Sequence, residues 1–506
     1  MKTIFNFIKK NRNIILLIIS FVFLTMLILG MTYAYFDLKT GGETESTMNI
    51  GGAEISATYA YSNSINITDA LPGNDVIAYK DITLTYKNTS SEEYKVYLKT
   101  VIDYSTFTNT ENDGVLYYDI YSGTDHSTLV QNQTIFPTIT YGKAILKEIS
   151  IPANSTGTLN YRINFYFPES NKLQNPDGQL ILDATISTES DNSLKYSPNL
   201  LKFLNINYRI NATLNGFEVD ETADKNLRYV GKTPKNYITF NGETWRIIGV
   251  FNNITSIDEQ GNEKTESLVK IVRNESLGDY SWDSSESTIN SGHGVNEWSQ
   301  ADLMYELNCD GSGSTKYCRD DITEGYLSNL TTGSTTWYNN SNNAKNGTYE
   351  YSKNIKSSSI DKVAKVRWNT SRTTYNASAL NSYNKERSTT LISTPSDNVP
   401  RTNTWDGKIA LIYPSDHGYA STDTTCRSGL GLSNCKNENW LFNSKYQRTL
   451  SPSSDGARLV FYVRSGGSVH FGNAGSANGV RPALFLKSDV VISGGTGTES
   501  DPYVID

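Results

Sequence analysis

Hydrophobic positions recur with a period of two through much of the first half of the chain. Ile82, Leu84 and Tyr86 alternate with Thr83, Thr85 and Lys87, and Tyr94, Val96 and Leu98 alternate with Lys95, Tyr97 and Lys99. The clearest run sets Leu159, Tyr161, Ile163, Phe165 and Phe167 against Asn160, Arg162, Asn164 and Tyr166. Side chains alternate faces along a strand, so each run predicts a strand with one buried and one wet face. Turn sequences such as Leu71-Pro-Gly-Asn74 and Ile151-Pro-Ala-Asn-Ser155 separate the runs. Short strands of this kind predict an Ig-like antiparallel β-sandwich over residues 50–190, with its charges on the solvent face and no helix of ten residues or more.

A different pattern precedes it. From Ile14 to Phe36 the chain runs for 23 residues without a charge, and a helix needs about 20 such residues to cross the hydrocarbon core. Lys2, Lys9, Lys10 and Arg12 come before this stretch, and Asp37, Glu43 and Glu45 come after it. That asymmetry places the N-terminus inside and makes residues 1–36 a membrane helix, serving as signal or anchor. Thr32-Tyr33-Ala34 offers small residues at the two positions a signal peptidase reads. The expected protein is therefore either a single-pass protein on the extracellular face of the membrane or one secreted after cleavage near Ala34. Residues 37–49 read as a polar tether.

Beyond the sandwich, residues 191–232 read as a connector with Pro198 and an amphipathic stretch from Leu200 to Tyr208. All seven tryptophans and all four cysteines then lie after residue 240, which marks a separate domain over 233–506. Asn241-Gly242 predicts the turn of a hairpin spanning Tyr237 to Val250. Leu268–Arg273 predicts the next strand. Trp298–Leu307 predicts a helix with Ser299 as N-cap, Asp302 completing a capping box, and Leu303 and Leu307 on one face. Residues 320–400 read as long polar loops. Lys408–Tyr413, Ala457–Val463 and Gly479–Leu486 predict closing strands. The whole chain is thus expected to be mainly β with some α.

Charge and composition narrow the function. The net charge is −8 and no basic run follows residue 12, which argues against nucleic acid as a partner. With 33 Tyr and 17 Phe the chain can bury too much area to be disordered. Cys309 and Cys318 enclose eight residues, as do Cys426 and Cys435. Local closure is entropically the cheapest pairing, and zinc ligands are usually two to four residues apart, so the spacing favours two disulfides over a four-thiolate zinc site. Disulfides suit an oxidising, extracytoplasmic setting. His126, His293, His417 and His470 show no metal-ligand spacing, and Asp416-His417, between Tyr413 and Tyr419, reads as a packed surface loop. No nucleophile–base pair or paired carboxylate is located, so no catalytic residue, metal or cofactor is assigned and the chain is not expected to be an enzyme. The glycine-rich segment Ser465–Gly479 can display adaptable hydrogen-bonding groups on a rigid sheet.

Two resemblances add to this. Thr32-Tyr-Ala-Tyr-Phe36 followed directly by a sandwich resembles the secreted camelysin/TasA-type proteins of Gram-positive bacteria, and Asn164-Phe-Tyr-Phe-Pro-Glu-Ser170 with Asp177-Gly-Gln179 is similar to bacterial surface sandwich modules. Trp245-Arg-Ile-Ile-Gly249, Trp440-Leu-Phe442 with Phe461-Tyr-Val463, and Gly479-Val-Arg-Pro-Ala-Leu-Phe-Leu486 resemble an uncharacterised bacterial surface family. The order of these blocks looks like the C-type-lectin-like fold shared with formylglycine-generating enzymes, so an α+β domain of that kind is expected over 233–506. The calcium-binding signatures Glu-Pro-Asn, Gln-Pro-Asp and Trp-Asn-Asp of true C-type lectins are absent from the sequence. Both cysteine pairs close small loops, which does not suit the reactive cysteines of the enzymes. The resemblances imply a surface adhesion protein displaying a lectin-like domain on a sandwich stalk, with an extracellular glycan or protein as ligand. The alternative they leave open is a structural subunit of a matrix or appendage.

Overall fold

In the computed structural model, residues 44–505 are described except for 51, 61, 69, 71, 74, 108–114, 139–140, 170–180, 195, 285–288, 340–344, 376 and 390–396. The apolar segment Ile14–Phe36, the cleavage position Ala34 and the Asp177-Gly-Gln179 motif lie outside the described residues. Among the described residues no helix is long and apolar enough to cross a membrane. The described chain is mainly β, and it divides into two compact units between Tyr196 and Ser197.

Among its described residues the first unit holds ten strands: β1 (Thr44–Ile50), β2 (Ala53–Tyr59), β3 (Ser64–Ile67), β4 (Val76–Asn88), β5 (Tyr94–Ser105), β6 (Tyr117–Ser122), β7 (Thr128–Ile135), β8 (Gly142–Ile151), β9 (Ser155–Tyr166) and β10 (Leu182–Glu189). They form one sheet in the order β1-β2-β4-β9-β6-β7 and a second in the order β3-β10-β5-β8. The two sheets share one apolar core, to which alternate residues contribute: Ile55 and Ala57 of β2, Ile82 and Leu84 of β4, Ile163 and Phe165 of β9, Ala184 and Ile186 of β10. The period-two pattern has its physical cause here.

Two expectations need correcting in this unit. The part of the expected tether from Thr44 on is a strand, because β1 pairs along its full length with β2 and sets Met48 and Ile50 against the core. Lys99, assigned by alternation to the wet face, is fully buried. A register shift between Leu98 and Lys99 turns it inward, and its ammonium donates to Glu189 at 2.8 Å and to the Ser193 carbonyl at 2.7 Å. A bulge of this kind re-aims a side chain without any mark in the hydrophobic pattern.

The second unit begins earlier than expected, and the connector is folded. Helix α1 (Leu200–Asn215) is capped by the Asn199 side chain, which accepts from the Lys202 N–H, and it ends at Gly216 in the left-handed region with φ 76°. Leu200 and Leu204 insert into the main core, each adding roughly 2 kcal/mol of burial. Strands β11 (Phe217–Val219) and β12 (Leu227–Tyr229) follow and join the main sheet beside β14 (Glu243–Ile257).

That sheet is built on β13 (Tyr237–Phe240), β14 and β15 (Glu263–Arg273). Asn241 and Gly242, with φ 59° and 73°, form the two-residue turn between β13 and β14. Positive φ at both central positions is what a type I′ hairpin requires, so Asn-Gly was a sound signal. The strand Ala483–Leu486 pairs with β15, and Tyr503 pairs parallel with Ile238 of β13. Tyr503–Ile505 therefore closes beside β13, while the start of the unit meets Val491 at Asn199. A five-stranded sheet, in the order Asp279–Ser281, Ala477–Gly479, Gln447–Pro452, Leu459–Val463, Val469–Asn473, completes the architecture with a hairpin of Ser334–Tyr338 and Lys345–Glu350.

Two local expectations fail here. Trp298–Gln300 is a single 3₁₀ turn, the chain is extended at Ala301, and a helix runs only from Asp302 to Asn308. Ser299 does not cap, because its N–H and hydroxyl donate to Glu297. The Asp302 carboxylate accepts instead from Ser284 and Arg319. The described residues of 320–400 are not loose loops: Tyr326, Trp337, Tyr349, Val366 and Trp368 are all buried there. Aromatic anchors many residues apart carry no periodicity, so the pattern missed them. Of the three closing strands, Lys408–Tyr413 pairs only at Ile409–Ala410.

Gly249 shows how tightly β12 and β14 meet: a Cβ there would lie 2.0 Å from the Leu227 carbonyl oxygen. Gly249→Ala is expected to destabilise the second unit by about 2 kcal/mol or more, as backbone overpacking does. Tryptophan fluorescence isolates that unit, since all seven indoles lie in it; an unchanged urea midpoint would refute the constraint.

Candidate functional site

Asp416-His417 lies in a wholly buried helix, Pro414–Tyr419, and not in a surface loop. Two acids and two bases meet around it. Arg228 of β12 donates to Asp220 at 2.9 Å and to Asp416 at 2.7 Å, and Lys270 of β15 donates to the second Asp416 oxygen at 2.5 Å. Burial alone would raise the Asp416 pKa, but the adjoining Lys270 and Arg228 cations hold it at about 2. On Lys270 burial wins over the pull of Asp416 and lowers it to about 8. Both remain charged at neutral pH. Lys270 also lies 4.3 Å from the Tyr413 ring centre and Arg228 lies 4.2 Å from that of Phe251, so the cations are shielded by aromatic faces.

His417, the next residue, points to the other side. Its Nε2 meets the Gly467 carbonyl at 2.9 Å and so acts as donor there. Burial lowers its pKa to about 4, which keeps the ring neutral. Gly467 sits in the turn between the strands Leu459–Val463 and Val469–Asn473, where Arg464 and Ser468 close the backbone. With φ 91°, and with Lys436 so close that a Cβ would meet its nitrogen at 2.5 Å, this position requires glycine.

The hairpin held in this way carries the middle of a row of rings. Tyr462 and His470 are cross-strand neighbours, with centres 6.1 Å apart. Tyr446 lies 5.8 Å from Tyr462 at one end. Tyr375 lies 5.0 Å from His470 and 5.6 Å from Phe471 at the other. Tyr375 and Tyr446 are exposed at 38% and 48%, and the three rings between them are half-buried. His470 Nδ1 is fixed at 2.7 Å from the Phe471 carbonyl. The hydroxyls of Tyr375, Tyr446 and Tyr462 make no hydrogen bond among the described residues and stay available. Contiguous exposed aromatic surface is uncommon on a soluble unit and marks contact sites.

Support comes from beneath. Cys426 and Cys435 form one disulfide, and Cys309 and Cys318 form the other, as the spacing indicated. The first belongs to a small apolar cluster with Leu430, Phe461, Val463 and Val469, against which Phe471 packs. The Val469 N–H donates to the Leu430 carbonyl at 2.7 Å. The glycine-rich segment singled out in the sequence, Ser465–Gly479, thus contains one strand of this surface and its flanking turn. The tyrosines outside that segment were missed, because exposed and core tyrosines look alike in sequence.

The remaining candidates do not converge. His126 lies 3.7 Å from Asp81 in the first unit, and His293 contacts Asn473. Among the described residues no group of three or more His, Cys, Asp or Glu is placed to hold a metal. Asp283, Asp302 and Glu306 are buried together; burial and the Asp302 charge raise Asp283 to about 7. Their contacts are with the protein's own donors, Val295, Ser284, Arg319 and Tyr338. Two clefts of about 200 and 430 Å³ share Glu259, Lys365 and Lys408, and their charges are of both signs. Neither contains a stack of rings.

No family model matches the sequence, and no curated protein matches it. Among solved structures, the CBM22-2 xylan-binding domain of Xyn10C from Paenibacillus barcinonensis is similar at 14% identity over 30% of this chain and 89% of that one, with a TM-score of 0.13. A likeness that weak carries no argument about either unit.

The His417 contact has a pH signature. The ring is neutral in the folded protein down to about pH 4, whereas an unfolded histidine takes up a proton near pH 6.5. Stability from this group is present above pH 6.5 and is lost as the pH falls toward 4. Between pH 7 and 4.5 the loss is roughly 2–3 kcal/mol. His417→Gln is expected to flatten the pH dependence of urea unfolding by that amount, and an identical pH profile in the variant would exclude the buried neutral ring.

Proposed function

We propose that the chain is a surface-displayed recognition protein whose second unit binds a glycan across the ring row Tyr446–Tyr462–His470–Tyr375. The observation that carries this reading is a row of rings with neighbouring centres 5.0, 5.8 and 6.1 Å apart, two of them on a hairpin fixed by a disulfide and a buried histidine and one beside each end of it. Flat aromatic faces bury the apolar face of a sugar at little entropic cost, and free tyrosine hydroxyls serve its hydroxyl groups. Side chains already held in place lose less freedom on binding. The closing strand Ala483–Leu486 and the terminal pairing of Tyr503 with Ile238 suit a C-type-lectin-like domain in which both chain ends meet. The disulfides suit an extracytoplasmic location reached through the N-terminal apolar segment. The role is binding, not catalysis.

A glycan array probed with the full chain tests this. At least one glycan class should bind, and Tyr462→Ala and Tyr375→Ala should each weaken it about tenfold, equivalent to about 1.4 kcal/mol per ring. Unchanged binding by both variants, or no glycan bound, would reject the site.

A second reading, a structural subunit of a matrix or appendage, is favoured by one feature. Strand β7, Thr-Leu-Val-Gln-Asn-Gln-Thr-Ile, lies at the edge of its sheet with no charge or proline and with Leu129 and Ile135 exposed. Natural edge strands usually carry charges that block pairing with another chain. If β7 assembles copies, the full chain sediments as growing oligomers at high concentration and Leu129→Lys holds it monomeric. A wild-type chain that stays monomeric over days would end this reading.

A further inference from the structure

His470 differs from the other rings of the row in the direction of its hydrogen bonding. Its Nδ1 lies 2.7 Å from the Phe471 carbonyl oxygen, which can only accept, so Nδ1 carries a proton. In the neutral ring that leaves Nε2 with a lone pair and no proton. Nε2 meets no hydrogen-bond partner among the described residues, and it is not one of the polar atoms sealed from solvent. A tyrosine hydroxyl can turn to donate or to accept, whereas this nitrogen only accepts.

Its place in the row gives that polarity a use. The His470 ring centre lies 5.0 Å from that of Tyr375 and 6.1 Å from that of Tyr462. Tyr462 leans across Gly472, where a Cβ would lie 3.0 Å from its Cε1, so the bare backbone at 472 lets the ring settle toward the strand that carries His470. A sugar unit stacked on Tyr462 then has the His470 ring at its edge. A sugar hydroxyl there satisfies Nε2 by donating to it. A carboxylate in the same place sets lone pairs against a lone pair and gives up its water without a new partner. Arg448 interacts with Tyr462 electrostatically, but it is fully buried beneath the carbonyls of Asn473, Ala474 and Ser476 and cannot reach a ligand carboxylate.

We propose that His470 Nε2 makes the ring row selective for neutral glycans, whose hydroxyl donates to it, over uronic-acid glycans, which place a carboxylate there. This inference rests on the ring row as the glycan site and adds to it the chemical class of the sugar. The tyrosines supply faces, and His470 supplies the one-way acceptor.

Tautomer and ligand are tested separately on the full chain. The chain has four histidines, so ¹⁵N-histidine labelling gives few enough signals for His470 to be assigned by its loss in His470→Phe. At about pH 8.5, above the ordinary histidine range, His470 should show a protonated Nδ1 and an unprotonated Nε2; the reverse tautomer overturns the proposal. A glycan array then compares hexaoses in matched pairs, neutral and C6-oxidised to the uronate. Wild type should favour the neutral member about fivefold or more, and its Nε2 signal should move on binding that member. His470→Phe, which keeps a ring and removes the acceptor, should weaken the neutral member about fivefold and bring the pair within about twofold of each other. Equal binding of the pair by wild type, an unmoved Nε2 signal, or a preference that persists in His470→Phe overturns this inference alone, provided Tyr462→Ala and Tyr375→Ala still weaken binding. If no glycan binds, the ring row fails as a site and this inference falls with it.

Discussion

The contact of Arg228 and Lys270 with Asp416 is the constraint on which the second unit turns. It joins β12, β15 and the helix Pro414–Tyr419 across sequence separations of 146 and 188 residues. With Asp220 the cluster is balanced, two acids against two bases, all with side chains at most 1% exposed. A buried ion group of this kind adds little net stability, but removing one member leaves a bare charge and costs about 3–5 kcal/mol. Its consequence is therefore specificity. An apolar helix could slide against the sheet, whereas Asp416 accepts both cations in only one position.

The ring row inherits that position. Asp416 fixes the helix from one side, and His417 on its other side holds Gly467. Gly467 sets the turn, the turn sets the register of Tyr462 against His470, and the Cys426–Cys435 loop closes against the back of the same strands. A nine-residue separation between the cysteines supplies about 2–3 kcal/mol of loop closure. Each link acts through one or two atoms of defined direction. Rings on such a support are presented at fixed spacing, which a surface of equally exposed but unsupported tyrosines could not do.

Much of the fold was legible because it follows from local rules. Alternation in β4, β5 and β9 predicts which residues enter the sandwich core, apart from Lys99. Asn241-Gly242 predicts its own turn, and the spacing of Cys309 with Cys318 and of Cys426 with Cys435 predicts the local pairing. The errors share a different origin. Lys99 turns inward at a bulge, Ser299 answers to Glu297, and Asp302 is drawn away by Ser284 and Arg319. Each depends on a partner that no window of neighbouring residues contains. The site is the extreme case, for its supporting acid at 416 and bases at 228 and 270 meet only after the sheet has formed.

The same distinction explains why tyrosine abundance was uninformative in sequence. Tyr229, Tyr326, Tyr349 and Tyr419 are fully buried, while Tyr375 and Tyr446 stand exposed. In the core, a ring contributes area and its hydroxyl is a liability: Tyr349 donates to Asn354, whereas the Tyr326 hydroxyl finds no partner among the described residues. At the surface, the hydroxyl meets water and the ring face stays open to contact. No property of the residue separates these uses; only the neighbours brought by the fold do. The row Tyr446–Tyr462–His470–Tyr375 is assembled from three separate chain segments, 375, 446 and the hairpin 462–470, and its rings come together only when the sheet has formed.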